Sequence, residues 1–145
     1  MKRILFVCTG NTCRSPMAAG ILKKIAKDDE YIIESAGIMA LDGESACNDA
    51  ILSCKEIDID ISNHKSKSIS KVKNLEEVDL FIVMSESHAD ILKKLNVPKN
   101  KIVVLGGGIP DPYLKGIAEY RRTRDKIKAE LINLYGKMRD GLIDN

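Results

Sequence analysis

Two kinds of hydrophobic pattern alternate along the chain. Ile4 to Val7 is an unbroken apolar run, as expected of a strand covered on both faces, and Gly10 and Asn11 then favour a turn. Ser15 and Pro16 mark a helix start, because proline is tolerated in a first turn, and Met17, Ala18, Ile21, Leu22 and Ile25 recur at helical spacing to about Lys27. Tyr31 to Ile33 reads as a second strand closed by Ser35-Ala36-Gly37, and Ala46, Ala50, Ile51, Cys54 and Ile57 predict a second helix. Leu80 to Met84 predicts a third strand and Glu86 to Leu95 a third helix, with Pro98 as punctuation. Lys101 to Leu105 is a fourth strand that runs into Gly106-Gly107-Gly108. Beyond this glycine-rich loop, Tyr120, Ile127, Leu131, Leu134 and Met138 line one face of a last helix.

Strands separated by helices require right-handed crossovers. The expected fold is therefore α/β: a doubly wound, flavodoxin-like, four-stranded parallel sheet with helices on both faces. Ligands of such sheets sit beyond the carboxyl ends of the strands. The loops from Cys8 to Ser15 and from Gly106 to Gly116 both leave from that edge. With 145 residues and no repeat or linker, the expectation is one domain spanning 1–145.

Composition narrows the function. A 44% hydrophobic and 30% charged chain is globular rather than disordered. Its net charge of +2 is too mild to point to nucleic acid. No run approaches the roughly 20 apolar residues of a membrane span, and Ile4 to Val7 is too short for a signal-peptide core, so a cytoplasmic protein without a membrane partner is expected. Cys8, Cys13, Cys47 and Cys54 form no C-x2-C pair, and with two histidines they predict free thiols rather than a metal site. The basic stretches Lys65 to Lys73 and Arg121 to Arg124 read as solvated faces.

The chemistry concentrates in Cys8-Thr9-Gly10-Asn11-Thr12-Cys13-Arg14-Ser15-Pro16, which joins the first strand to the first helix. Successive backbone N–H groups in such a turn form an anion nest. Its first residue is a thiol, and a helix N-terminus, a guanidinium and a hydroxyl close by favour the thiolate, which is the nucleophilic form. The planar fork of Arg14 matches two phosphoryl oxygens in a way that lysine does not. The Cys-x5-Arg spacing thus sets a nucleophile under a phosphorus and a cation beside its oxygens.

This chain resembles the low-molecular-weight protein tyrosine phosphatase family. The resemblance rests on the Cys8 to Pro16 loop, Ser35-Ala36-Gly37, Asp60 to His64, Asp79 to Met84 and Asp111-Pro112-Tyr113, which fall in family order over nearly the whole length. It implies an enzyme that needs no metal or cofactor and acts on phosphorylated protein substrates, and a monomer is expected. Cys8 attacks phosphorus, Arg14 and the loop from Thr9 through Gly10, Asn11, Thr12 and Cys13 to Ser15 hold the phosphoryl oxygens, and Asp111 protonates the leaving group. The resemblance further implies a bracing network of Asn11, Ser15, Ser35 and His64. It also implies a reversible redox switch between Cys13 and Cys8, which share the loop. Cys47 and Cys54, at i and i+7, are expected on the inner face of the second helix.

The substrate is less sharply defined. Tyrosine-selective members commonly carry an apolar residue where Thr12 stands, and aromatic walls. Here Leu41 falls where a wall aromatic is expected, Tyr113 is followed by Leu114, and there is no Trp. The Thr12 loop resembles that of the bacterial protein arginine phosphatases of the same family. A hydroxyl at Thr12 and the Asp111 carboxylate suit the N–H donors of a phosphoguanidinium, and Tyr113 can stack on its plane. The reading leans to phosphoarginine, with phosphotyrosine open. An alternative is the related thioredoxin-coupled arsenate reductase, although those enzymes typically carry Gln where Pro16 stands and place their relay cysteines after the third strand. A non-catalytic flavodoxin-like phosphate binder is a third reading, in which Cys8 would have no purpose.

Overall fold

A computed structural model describes residues 2–26 and 30–141. Four strands, β1 (Lys2–Cys8), β2 (Tyr31–Gly37), β3 (Leu80–Val83) and β4 (Ile102–Val104), form one parallel sheet in the order β2-β1-β3-β4. The helices are α1 (Arg14–Ile25), α2 (Asn48–Lys55), α3 (Glu86–Lys94) and α4 (Ile117–Arg139). No helix among the described residues is long and apolar enough to cross a membrane.

Central placement explains the apolar runs of β1 and β3. Ile4, Phe6 and Cys8 with Leu80, Ile82 and Met84 join one core beneath α1, α2 and α4, while Leu5, Val7, Phe81 and Val83 join a second core with Ala89 and Leu92 of α3. Period-2 alternation sends successive side chains to opposite faces, and both faces are covered, so every position is apolar. Across the helical layer, Arg121 and Arg124 of α4 bind Glu56 just past α2, and Arg122 pairs with Glu119. The arginines of that basic stretch are paired with carboxylates rather than simply solvated.

The element boundaries differ from expectation in instructive places. Ser35-Ala36-Gly37 does not close β2 but belongs to it, paired in register with Phe6, Val7 and Cys8. A central partner strand supplies the ladder bonds that override the weak strand preference of Ser, Ala and Gly. Helix α2 is shorter than its apolar spacing suggested, with Ala46 and Ile57 flanking it, and β4 loses Lys101 and Leu105 to short 3-10 turns. Helix α1 ends at Ile25, and the expected end at Lys27 lies outside the described residues.

The strand order places the crevice where connections diverge, between the carboxyl ends of β1 and β3. From β1 the chain turns toward β2, and from β3 it turns toward β4. Cys8 is the last residue of β1 and Arg14 the first of α1, so the intervening loop is built at that crevice.

Candidate active site

The loop Thr9–Cys13 is shaped by what its carbonyls do. Cys8 O accepts from the Ile38 N–H at 3.0 Å, Thr9 O from Met39 at 2.9 Å and Thr12 O from Cys47 at 2.9 Å, while Asn11 O accepts from His64 Nε2 at 2.7 Å. In a trans peptide the C=O and the following N–H point in opposite directions. Carbonyls engaged outward therefore turn the N–H groups of Thr9, Gly10, Thr12 and Cys13 toward the interior of the loop. Such convergence is an anion nest, completed by the N-terminus of α1.

The side chains brace that shape. Asn11, fully buried with φ 56°, donates from Nδ2 to Ser15 Oγ at 2.7 Å and Ser35 Oγ at 3.0 Å, and its Oδ1 accepts from the Lys67 N–H at 2.9 Å. Ser15 Oγ in turn lies 2.9 Å from Cys8 Sγ. His64 carries its proton on Nε2, since its partner is a carbonyl, and burial lowers its pKa and keeps it neutral. Gly37 permits the close approach of β2: a Cβ there would stand 2.6 Å from Thr9 O and 3.0 Å from Asn11 N. The bracing positions singled out in the sequence are thus brought together.

A cleft of about 200 Å³ opens over the loop, lined by Cys8, Thr9, Gly10, Thr12, Cys13, Arg14, Asp111 and Tyr113. Arg14 is buried, with Nη1 donating to Ile109 O at 3.0 Å and Nη2 3.9 Å from Asp111 Oδ2. Asp111 is half-exposed and its Oδ1 accepts from the Tyr113 N–H at 3.1 Å, a turn that holds Tyr113 beside it. A buried sulfur, a guanidinium held by its other nitrogen and a carboxylate at the mouth are what in-line displacement at phosphorus requires. The described residues contain no group of three or more His, Cys, Asp or Glu able to hold a metal.

Two placements differ from expectation. Leu41 does not line the cleft but is 70% exposed, because its segment is pinned outside the loop: its carbonyl accepts from Ser66 Oγ and Gly43 N–H donates to Ser66 O. Cys47 stands at the N-cap position just before α2 rather than within it, partly buried against the core that holds Cys54, and its Sγ lies 2.9 Å from Cys13 Sγ; Cys54 is fully buried, as expected. Cys13 also meets Tyr120 Oη at 3.2 Å, and burial with Cys47 pushes its thiol up to about 12. The sequence reading overlooked His88, whose Nε2 lies 2.9 Å from Thr9 Oγ1. Its position in the first turn of a helix leaving the active edge of the sheet, three residues after the Ser85 N-cap, was the available signal.

A model of the family described as low molecular weight phosphotyrosine protein phosphatase matches residues 3–141. The chain belongs to this family. As a low-molecular-weight protein phosphatase it is an enzyme. Its relatives carry more than one kind of name, among them tyrosine phosphatase, as for a low molecular weight enzyme of T. tengcongensis whose solved structure matches with a TM-score of 0.83 at 36% identity, covering 94% of this chain and 99% of that one. A protein-arginine-phosphatase of Geobacillus stearothermophilus is 34% identical, covering 94% of this chain and 95% of its own. Arsenate reductase 2 of Staphylococcus haemolyticus is 40% identical, covering 90% of this chain and 93% of its own. The solved YwlE arginine phosphatase from Geobacillus stearothermophilus superposes with a TM-score of 0.89 at 33% identity, covering 97% of this chain and 95% of that one.

Proposed function

We propose that this phosphatase hydrolyses phosphoarginine in proteins, with phosphotyrosine as the competing substrate of the same cleft. Cys8 sulfur attacks phosphorus in line, the bond from phosphorus to the guanidinium nitrogen (or the phenolic oxygen) breaks, and Asp111 gives that atom its proton. Arg14 and the inward amides carry the charge on the transferring oxygens. Water, deprotonated by the ionised Asp111, then cleaves the S–P bond, releasing phosphate and restoring the thiolate. The reaction draws on no metal or organic cofactor. The four free thiols suit a reducing compartment such as the cytoplasm.

The observation that carries the lean to phosphoarginine is Thr12 in the cleft wall together with Asp111 and Tyr113. A phosphoguanidinium brings several N–H donors, and each left without an acceptor on desolvation costs about 1–3 kcal/mol. Thr12 Oγ1 and the Asp111 carboxylate are acceptors of that kind, and an isoleucine at Thr12 is not. The test is kcat/KM for phosphoarginine and phosphotyrosine peptides, reduced, with Thr12→Ile in parallel. The expected result is an arginine preference that Thr12→Ile lowers about tenfold. A tyrosine preference untouched by the substitution refutes the lean.

One observation favours a second reading. Cys13 and Cys47 sulfurs lie 2.9 Å apart beside the cleft, and a relative 40% identical is named an arsenate reductase. Arsenate-dependent oxidation of reduced thioredoxin, without phosphoester hydrolysis, would put that activity in place of the first. The redox role proposed for Cys13 is a switch with Cys8, and the nearness of Cys47 offers Cys13 a different partner. Mapping disulfides after peroxide treatment tests it: a Cys8–Cys13 bridge supports the switch, and a Cys13–Cys47 bridge or a reduced Cys13 removes it.

A further inference from the structure

His88 takes no part in the reaction just described, yet its surroundings are those of a working residue. It is 4% exposed, its Nε2 lies 2.9 Å from Thr9 Oγ1, and its buried Nδ1 finds no hydrogen-bond partner among the described residues. Thr9 itself is exposed and lines the cleft one residue after Cys8. Charge from Arg14 and Asp111 reaches the ring in opposite senses, and burial dominates, holding its pKa down to about 4. The imidazole is therefore neutral in ordinary buffers, with a single N–H to place.

That proton belongs on Nε2. A buried N–H without an acceptor is rarer and costlier than an unfilled acceptor, so the partnerless Nδ1 keeps the bare lone pair. Nε2–H then donates to Thr9 Oγ1. A threonine hydroxyl has one proton and two lone pairs. With one lone pair occupied from behind by His88, its own O–H has no call to turn back into the protein and is free to swing over the cleft.

We infer that His88 is a positioning residue, which orients the Thr9 hydroxyl so that it donates a side-chain hydrogen bond to an oxygen of the bound phosphoryl group. This adds a hydroxyl donor to the backbone amides and the Arg14 guanidinium, on the side of the loop facing α3. The inference rests on the phosphoryl-binding reading of the cleft. A hydrogen bond to a charged acceptor contributes enough to matter, on the order of tenfold or more in affinity.

The experiment measures inhibition by inorganic phosphate, using p-nitrophenyl phosphate as reporter substrate, together with the thermal midpoint of each variant. The side-chain nitrogen of Gln reaches the place of Nε2 and that of Asn does not. His88→Gln is expected to keep phosphate affinity within about threefold, and His88→Asn to weaken it about tenfold, as Thr9→Val does. Thr9→Val combined with His88→Asn is expected to lose no more than Thr9→Val alone, since the two residues act through one bond. A purely structural histidine gives a different pattern: both variants lower the thermal midpoint and neither moves the inhibition constant. That result overturns the inference, as do additive losses in the double variant. Should both His88 variants fail to fold, Thr9→Ser and Thr9→Val decide the matter: equal phosphate affinity in the two removes the hydroxyl donor and the inference with it. If the unaltered protein shows neither turnover nor phosphate inhibition, the phosphoryl reading itself has failed, a distinct outcome.

Discussion

Asn11 offers the sharpest test of how the anion loop is held, because its contributions separate. Truncation to Ala deletes three hydrogen bonds in a site with no solvent exposure: two donated to Ser15 and Ser35, and one accepted from the Lys67 N–H. At about 1 kcal/mol each these amount to roughly 3 kcal/mol. The residue also sits at φ 56°, where Asn is tolerated and Ala pays a further penalty of about 1 kcal/mol. Asn11→Ala is thus expected to cost about 4 kcal/mol, a large share of the roughly 5–15 kcal/mol that stabilises a domain. Asn11→Gly loses the same bonds without the backbone penalty and should recover about 1 kcal/mol. Equilibrium urea unfolding reads both. With a slope of about 2 kcal/mol per molar, the midpoint should fall by about 2 M for Ala and 1.5 M for Gly. A fall below about 0.5 M for Asn11→Ala, or equal midpoints for the two, would refute this account of the loop.

Two further outcomes follow from the same geometry. Asp111→Asn should slow esters with poor leaving groups most and those with good ones least, because only the former need the proton; uniform slowing across a leaving-group series would remove Asp111 as the acid. Stability should also fall on the acid side. His88 accepts a proton near 6.5 when unfolded and only near 4 when folded, so between those values the unfolded chain binds more protons, and stability drops as pH falls through that window. The full loss is about 3 kcal/mol below pH 4, from 6.5 − 4 = 2.5 pH units, and His64 adds in the same direction. Chemical denaturation at pH 7 and pH 5 should show this slope in the unaltered protein and a shallower one in His88→Gln; parallel slopes would rule His88 out.

The sheet and its four strands were legible because a parallel sheet buried on both faces writes unbroken apolar runs, as at Ile4 to Val7 and Leu80 to Met84. The Cys8 to Ser15 loop was legible because its chemistry is local in sequence: thiol, nest and guanidinium lie within seven residues. Less was visible where contacts are set by tertiary approach. Ser35 to Gly37 has the composition of a turn and becomes strand only because β1 lies beside it. The meeting of Cys13 with Cys47 and Tyr120 depends on how α2 and α4 pack, 34 and 107 positions away. His88 was half hidden for the same reason: its place after the Ser85 N-cap puts it at the active edge, but the reach of its ring to Thr9 is set by how α3 packs.

Distance in sequence also hides a coupling between the cation and the acid. Arg14 Nη1 is held by Ile109 O, and Ile109 N–H is held in turn by Met84 O at 2.8 Å, at the end of β3. Asp111 stands two residues beyond Ile109, so the segment that carries this carboxylate also aims the arginine. Both depend on Gly108, whose φ of 128° and ψ of 138° lie in a region essentially restricted to glycine. Gly108→Ala meets no serious clash, its Cβ lying 4.0 Å from Met84 O, but forces a backbone change costing about 1–3 kcal/mol that must shift Ile109. The expected result is a double loss: weaker inhibition by phosphate, through Arg14, and slower turnover of poor leaving groups, through Asp111. Slower turnover of poor leaving groups with phosphate inhibition intact would mean that Ile109 does not steer the guanidinium, and that the loop after β4 serves Asp111 alone.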